Sequence, residues 1–358
     1  MTSLPTWTLA TPLAAAVLLG ATVALPAVPW LGAACAVALV GAVLAAVHHA
    51  EVIAHRVGEP FGTLVLALAV TLIEVALIVS MMLAGGADKA MLPRDTIFST
   101  LMIICNGVVG LCLLVGGLRH NEQVFRIQGA STSLATLIAM ATLTLVLPTF
   151  TTSTVGATYT TSQLAFAAAM SLLLWSLFVF VQTVRHRDYF LPEANAEDVD
   201  SHAQPPSAGQ AWASGGLLMV ALVAVVGLAK VLSPAIESAL ASVGAPPAVL
   251  GIAIAMLVLL PETVAALRAA RANRLQTSLN LAYGSALASI GLTIPAVAAA
   301  SVWLGLPLVL GSDPKELVLL TLTFVVSALT LGSGRTHAMQ GAVHLVIFSA
   351  FLFLALVP

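Results

Sequence analysis

Residues 250–266 read LGIAIAMLVLLPETVAA, and no charged residue lies between Glu237 and Glu262. A carboxylate directly after a proline in so apolar a run poses a choice. In a soluble core it is an oddity to be paired away. In a bilayer it is the first candidate for a working group, because an intramembrane charge costs at least about 2.5–3.5 kcal/mol.

Composition decides the solvent. The chain has 358 residues, 60% of them hydrophobic and 8% charged, whereas soluble domains carry about 25% charged residues. Such a chain lacks the polar surface to face water. Apolar stretches of about twenty residues, each long enough to cross about 30 Å of hydrocarbon, recur from end to end. The expected fold class is an all-α polytopic membrane protein with eleven spans, near 8–25, 29–48, 60–84, 96–118, 131–149, 162–184, 212–233, 247–270, 276–303, 316–332 and 336–357. The first stretch lacks a basic flank and is expected to be a retained helix. Formal charge is −2, too little to suggest nucleic acid as a partner. The bilayer is the expected partner, and the oligomeric state is left open.

Orientation follows from Lys and Arg. Loops after even-numbered spans carry nine: Arg56, Arg119, Arg126, Arg185, Arg187, Arg268, Arg271, Arg274 and Arg335. The opposite face carries four: Lys89, Arg94, Lys230 and Lys315. The bias puts the first set in the cytoplasm, with the N-terminus inside and the C-terminus outside.

One polar stretch, 185–211, turns from basic to acidic (Glu193, Glu197, Asp198, Asp200) and ends in Pro and Gly. It reads as a cytoplasmic linker; clustered carboxylates there also raise the local cation concentration. Cutting the chain there exposes a repeat. Residues 1–27 form an accessory helix, 28–184 a first five-helix repeat and 212–358 a second. In each half the second span carries one embedded glutamate, Glu74 in VTLIEVAL and Glu262 in VLLPETVA. Each first span has an acidic residue toward one end, Glu51 and Glu237. Five spans per half is an odd number, so the halves enter the membrane from opposite sides. That is the inverted-repeat architecture of secondary transporters.

Counted from Pro60, Glu74 lies about 21 Å along its helix, and Glu262 sits at a similar depth. With no Lys or Arg mid-span, the expected partner of these carboxylates is a bound cation or a proton. Calcium takes six to eight oxygen ligands. Neutral oxygens are offered on the following spans by Ser99 and Asn106, with Asp95 nearby, and by Gln276, Asn280, Ser285 and Ser289. Pro261 cannot donate a backbone N–H, which frees a carbonyl near residue 257 beside Glu262. Cation and proton then compete for Glu74 and Glu262, which suffices for antiport by alternating access. Calcium, sodium, potassium and protons enter as cargo, and no resident cofactor is expected.

Rival readings are weaker. A channel would present rings from symmetric subunits or loop filters. A serine protease would have to draw on Ser333 and His344, and no HExxH zinc motif occurs; the chain does not read as an enzyme. His48, His49 and His55 cluster at a span end and read as interfacial side chains or as pH sensors. Cys35, Cys105 and Cys112 read as small packing residues.

GEPFGTLVLALAVTLIEVALIVSMML (58–83) and LPETVAALRAARANRLQTSLNLAYGSALASIGLTIP (260–295), with HHAEVIAHR and LSPAIESAL before them, resemble the bacterial ChaA-type cation–proton antiporters. These form part of the CAX branch of the calcium/cation antiporter superfamily. The resemblance implies an eleven-helix fold in the bacterial inner membrane and assigns cation and proton binding to Glu74 and Glu262. It maps assisting roles to Ser99, Asn106, Gln276 and Asn280. The Gly-Asn pair that often precedes the glutamate in eukaryotic relatives is replaced here by Thr71-Leu72-Ile73 and Leu259-Leu260-Pro261. Selectivity therefore stays open between calcium and the monovalent ions, a sodium or potassium–proton antiporter being the alternative.

Overall fold

The computed structural model describes residues 5–24, 29–58, 61–191, 206–242, 244–246 and 248–357. Helices α1 (Thr6–Ala24), α2 (Pro29–Val57) and α3 (Phe61–Gly85) come first. The third span of the first half is α4 (Leu92–Met102) joined to α5 (Val109–His120), and α6 (Ile127–Ala141), α7 (Leu147–Phe150) and α8 (Thr161–Phe180) complete that half. The second half holds α9 (Ala208–Ser242), α10 (Ala248–Arg271), α11 (Leu275–Ala288), α12 (Ile294–Leu304), α13 (Pro314–Leu331) and α14 (Ala338–Leu356). Among the described residues, ten helices are long and apolar enough to cross a membrane, and a shorter apolar one spans Thr6–Thr22. The protein is an all-α polytopic membrane protein, its fourteen helical segments making up eleven spans.

The surface suits lipid. Val17, Val37, Val223 and Val346 are exposed in mid-helix, a face that water would not tolerate. Trp7, Trp30, Trp212 and Trp303 stand exposed near helix ends, where indole rings sit at the headgroup level.

Two compact units divide the chain, and they cut across the sequence halves. One takes Met1–Lys89 and Asp200–Pro247, the other Ala90–Val199 and Ala248–Pro358. Contacts in space, not repeat boundaries, define such units, and the first spans of the two halves, α2 and α9, pack together in the first unit. The acidic residues at 193, 197, 198 and 200 fall outside the described residues.

In the first unit α2 runs on to Val57, past the expected end at 48, so HHAEVIAHR is helical. Gly58, at φ +76°, ends it, its N–H bonding Ala54 O at 2.9 Å. This is a left-handed helix stop that glycine adopts without steric cost. His49 is fully buried. Its Nε2 donates to Thr8 O (2.8 Å) and its Nδ1 accepts from Ser214 Oγ (3.2 Å), tying α2 to α1 and α9. It is an interhelical tie, not an interfacial side chain.

In the second unit the interhelical hydrogen bonds sort the loops onto two ends. His120 Nε2 donates to Arg271 O (3.0 Å), and Gln123 Nε2 donates to Ala270 O and to Asn273 Oδ1 (both 3.0 Å). Strand β1 (Glu122–Val124) pairs antiparallel with β2 (Arg335–His337), setting Glu122 opposite His337. Arg126 Nη1 reaches Asp188 O at 2.8 Å. Arginines 119, 126, 185, 187, 271, 274 and 335 thus gather at one end, called here the basic end. At the far end, Val309 N–H bonds Ala90 O, Gly311 N–H bonds Ala157 O and Ser312 N–H bonds Leu145 O, at 2.9–3.0 Å. This alternation is what successive membrane crossings require.

Candidate functional site

Glu74 lies on α3 in the first unit. It is the only charged residue of that 25-residue helix, and it is 3% exposed. Thr71, one turn earlier on the same face, is also buried, and Ser80 Oγ donates to Val226 O on α9 at 3.0 Å. A buried carboxylate in so apolar a helix exists only against a compensating proton, cation or donor. Glu51, on α2, is half exposed and sits 3.9 Å from His48 Nδ1. Glu237 lies in α9, its side chain outside the described residues.

Glu262 lies on α10 in the second unit and is half-buried. The helix runs unbroken from Ala248 to Arg271 through Pro261. The expected backbone opening does not interrupt it and is confined to the carbonyl of Leu257, which loses its partner because proline has no N–H. Thr263 Oγ1 donates back to Leu259 O at 2.7 Å. The larger irregularities lie one helix further on. A π-turn at Ile103–Val108 joins α4 to α5, and another at Ser289–Thr293 joins α11 to α12. Both fall in the span after a glutamate-bearing helix, and π-turns of this kind recur at functional sites.

The supporting polar residues have varied surroundings. Ser99 is buried and bonds Asp95 O at 2.5 Å. Asp95 is itself buried at the far end, 2.8 Å from the Arg94 guanidinium. Arg94, 4% exposed, also reaches Gly311 O (3.2 Å), Asp313 Oδ1 (3.4 Å) and Glu316 Oε2 (3.9 Å). Asp313 and Glu316 form a reciprocal capping box at the start of α13. Counting Arg94 as an outer-face positive missed this network; the DPKE run at 313–316, a capping box in letters, was the available signal.

Gln276 and Asn280 occupy the basic end. Gln276 Oε1 accepts from Arg126 N (2.8 Å), its Nε2 donates to Asn280 Oδ1 (2.9 Å), and Asn280 Nδ2 donates to Phe190 O (2.5 Å). Ser285 is half-buried and Ser289 buried on the same span. Asn106, within the first π-turn, donates to Thr323 Oγ1 at 2.9 Å and accepts from His344 Nδ1 at 3.1 Å. Sequence reading did not link these three. His344 Nε2 meets Thr330 Oγ1 at 3.1 Å, and Ser333 Oγ bonds the carbonyls of Thr330 and Arg335. The pair imagined for a protease is thereby spent on other partners.

Among the described residues, no group of three or more His, Cys, Asp or Glu side chains is placed to hold a metal. A hard cation would therefore need carboxylate oxygen supplemented by neutral oxygens.

The family model for the sodium/calcium exchanger protein matches residues 27–184 and 213–357. The chain is 50% identical over 324 residues to a protein named putative ionic transporter y4hA of Sinorhizobium fredii (strain NBRC 101917 / NGR234), covering 89% of this chain and 87% of that one. It is 33% identical to the sodium-potassium/proton antiporter ChaA of Escherichia coli (strain K12), over 93% of this chain and 90% of the relative. In three dimensions it resembles the selenium-substituted Ca2+/H+ antiporter YfkE, with TM-score 0.71, 19% identity and coverage of 99% and 100%.

Proposed function

The chain belongs to the sodium/calcium exchanger family within the calcium/cation antiporter superfamily, and from that premise we propose that it exchanges Ca2+ for protons by alternating access, with Glu74 and Glu262 as the groups that bind cation and proton in turn. One observation carries the reading. Glu74 is 3% exposed in a helix with no other charge. A carboxylate at that depth is tolerated when neutralised, by a proton in one state and by a cation in the other. Calcium suits carboxylates backed by amide, hydroxyl and backbone oxygens.

A second reading has its own support. The 33% identical relative is named a sodium-potassium/proton antiporter, and the residues before each glutamate lack an amide side chain. In that reading the cargo is monovalent and the same two carboxylates serve.

The basic end of the second unit is assigned to the cytoplasm by its arginines, in a bacterial plasma membrane.

Purified protein in proteoliposomes tests the proposal. An imposed pH gradient drives Ca2+ uptake that a protonophore abolishes, and Glu74→Gln or Glu262→Gln lowers the rate at least about 100-fold, as expected for loss of an essential charged group. Exchange by either variant at near wild-type rate sinks the role of that carboxylate. Uptake that follows membrane potential alone sinks antiport in favour of a channel. Uptake of Na+ or K+ without Ca2+ selects the second reading.

A further inference from the structure

The arginines of the second unit's basic end carry more than a topology signal. By span parity, nine cationic residues fall on one side of the membrane and four on the other, and every one of the nine is an arginine. All three lysines of the chain, Lys89, Lys230 and Lys315, belong to the opposite set. Orientation in a membrane is set by lysine and arginine alike, so it does not account for this division. What separates the two side chains is shape. A guanidinium is a planar fork that grips a phosphate through two N–H groups at once, whereas an ammonium is a hydrated point charge.

Of the nine, all but Arg56 belong to the second unit. Among the described residues of its basic end, these eight arginines stand against only Glu122 and Asp188, a formal charge of +6. Arg119, Arg185, Arg187, Arg268 and Arg271 are exposed. Packing gathers part of this charge onto one patch. His120 Nε2 donates to Arg271 O, and Gln123 Nε2 donates to Ala270 O and Asn273 Oδ1. The end of α5, with Arg119, is thereby fastened beside the turn from α10 to α11. Arg268 and Arg271 stand there three residues apart on one exposed helix face.

A second observation comes from the neighbours of these arginines. Leu118, 72% exposed, precedes Arg119, and Val184, 64% exposed, precedes Arg185. Val264, also exposed, lies one turn before Arg268. Apolar surface that gives way to guanidinium at the end of a span matches a lipid molecule lengthwise, acyl chain first and phosphate next.

We propose that this patch, centred on Arg119, Arg268 and Arg271, binds the phosphodiester of an anionic phospholipid in the leaflet that the basic end faces. The acyl chains lie along the apolar surface beside it. A zwitterionic headgroup brings its own ammonium next to the phosphate, so the positive charge of this end favours the anionic kind. The arginine fork adds recognition of the phosphate itself to the general attraction of a charged leaflet. The inference uses neither glutamate and is independent of which cation is exchanged.

The test titrates purified full-length protein in neutral detergent with phosphatidylglycerol or phosphatidylcholine and counts bound lipid by native mass spectrometry. Wild type is expected to hold phosphatidylglycerol at least about fivefold more tightly than phosphatidylcholine, the worth of one cationic side chain at a membrane surface. Arg119→Gln with Arg271→Gln is expected to weaken phosphatidylglycerol binding about 25-fold, fivefold for each charge lost. Arg119→Lys with Arg271→Lys keeps the charge but loses the fork, and a weakening of about threefold or more is expected. Lys315→Gln, at the far end, is expected to leave binding unchanged. Equal retention of the two lipids overturns the proposal. So does full binding by the lysine pair, which reduces these arginines to a topology signal. A loss in Lys315→Gln as large as that of the glutamine pair removes the site from the basic end and overturns it too. Displacement of the bound lipid by millimolar inorganic phosphate identifies a soluble phosphate ligand instead. Where the glutamine pair does not fold, the lysine pair, which changes no charge, decides.

Discussion

The two ends of the second unit hold repeat-related junctions built from different chemistry. At the far end, the third span of the first half (α4) meets the fourth span of the second (α13) through Arg94, Asp95, Asp313 and Glu316. At the basic end, the third span of the second half (α11) meets the fourth span of the first (α6) through the amides of Gln276 and Asn280 and the backbone at Arg126. The inverted repeat sets where the helices meet but not what joins them. One junction is a buried ion network and the other a chain of neutral hydrogen bonds. Buried ions leave a large penalty when one partner goes, whereas a neutral bond is worth about 0.5–1.5 kcal/mol. The far end is therefore the more brittle of the two.

Mutations at each end measure that contrast. Arg94→Gln leaves Asp95 and Glu316 buried without their guanidinium partner and is expected to cost about 3–5 kcal/mol, read as a large drop in the unfolding midpoint of purified protein. A loss no bigger than that of Gln276→Ala would erase the distinction between the ends. Adding Asp95→Asn and Glu316→Gln to Arg94→Gln removes the orphaned charges, and most of the loss is expected to return, since a buried ion set exchanged for neutral groups is often nearly neutral. Failure to recover would show that Arg94 acts by packing and not by charge. Gln276→Ala severs the Arg126 and Asn280 links at an expected cost of about 1–2 kcal/mol, unchanged between low and high salt. Smallest of all is Arg335→Ala. The Arg335–Glu122 pair is 3.9 Å apart with side chains 69% and 53% exposed, and its removal is expected to cost under about 0.5 kcal/mol. A larger effect there would move weight to the basic end.

Much of this was legible in the letters, for identifiable reasons. Glu74 and Glu262 announced themselves because nothing else charged lies near them in sequence, and the solvent of the chain follows from its composition. The grouping of arginine-bearing loops at one end of the second unit follows from span parity. Asp95 was legible as an acidic residue but not as Arg94's buried partner, because a guanidinium at position 94 reads like any loop cation until Gly311, Asp313 and Glu316 are brought to it. Asn106 suited a ligand set by spacing, yet its amide is held by Thr323 and His344, residues more than 200 positions away. Pro261 read as a helix break, whereas the helix continues and the irregularity falls in the π-turns that follow. Those turns leave no signature in a single sequence: Ile103 and Val108, and Ser289 and Thr293, which begin and end them, keep helical backbone angles.

The sequence by itself determined the medium and the number of crossings and singled out two isolated carboxylates, because these depend on transfer free energy and on local spacing along one chain. The tertiary structure alone decided which polar groups are spent on one another. Hydrogen bonds and ion pairs inside a membrane form between helices distant in sequence, and their partners are fixed only once packing brings Arg94 to α13 and His344 to the π-turn. That is why Glu262 in LPET stood out as a candidate from its letters, while the surroundings of Asn106, Arg94 and His344 did not.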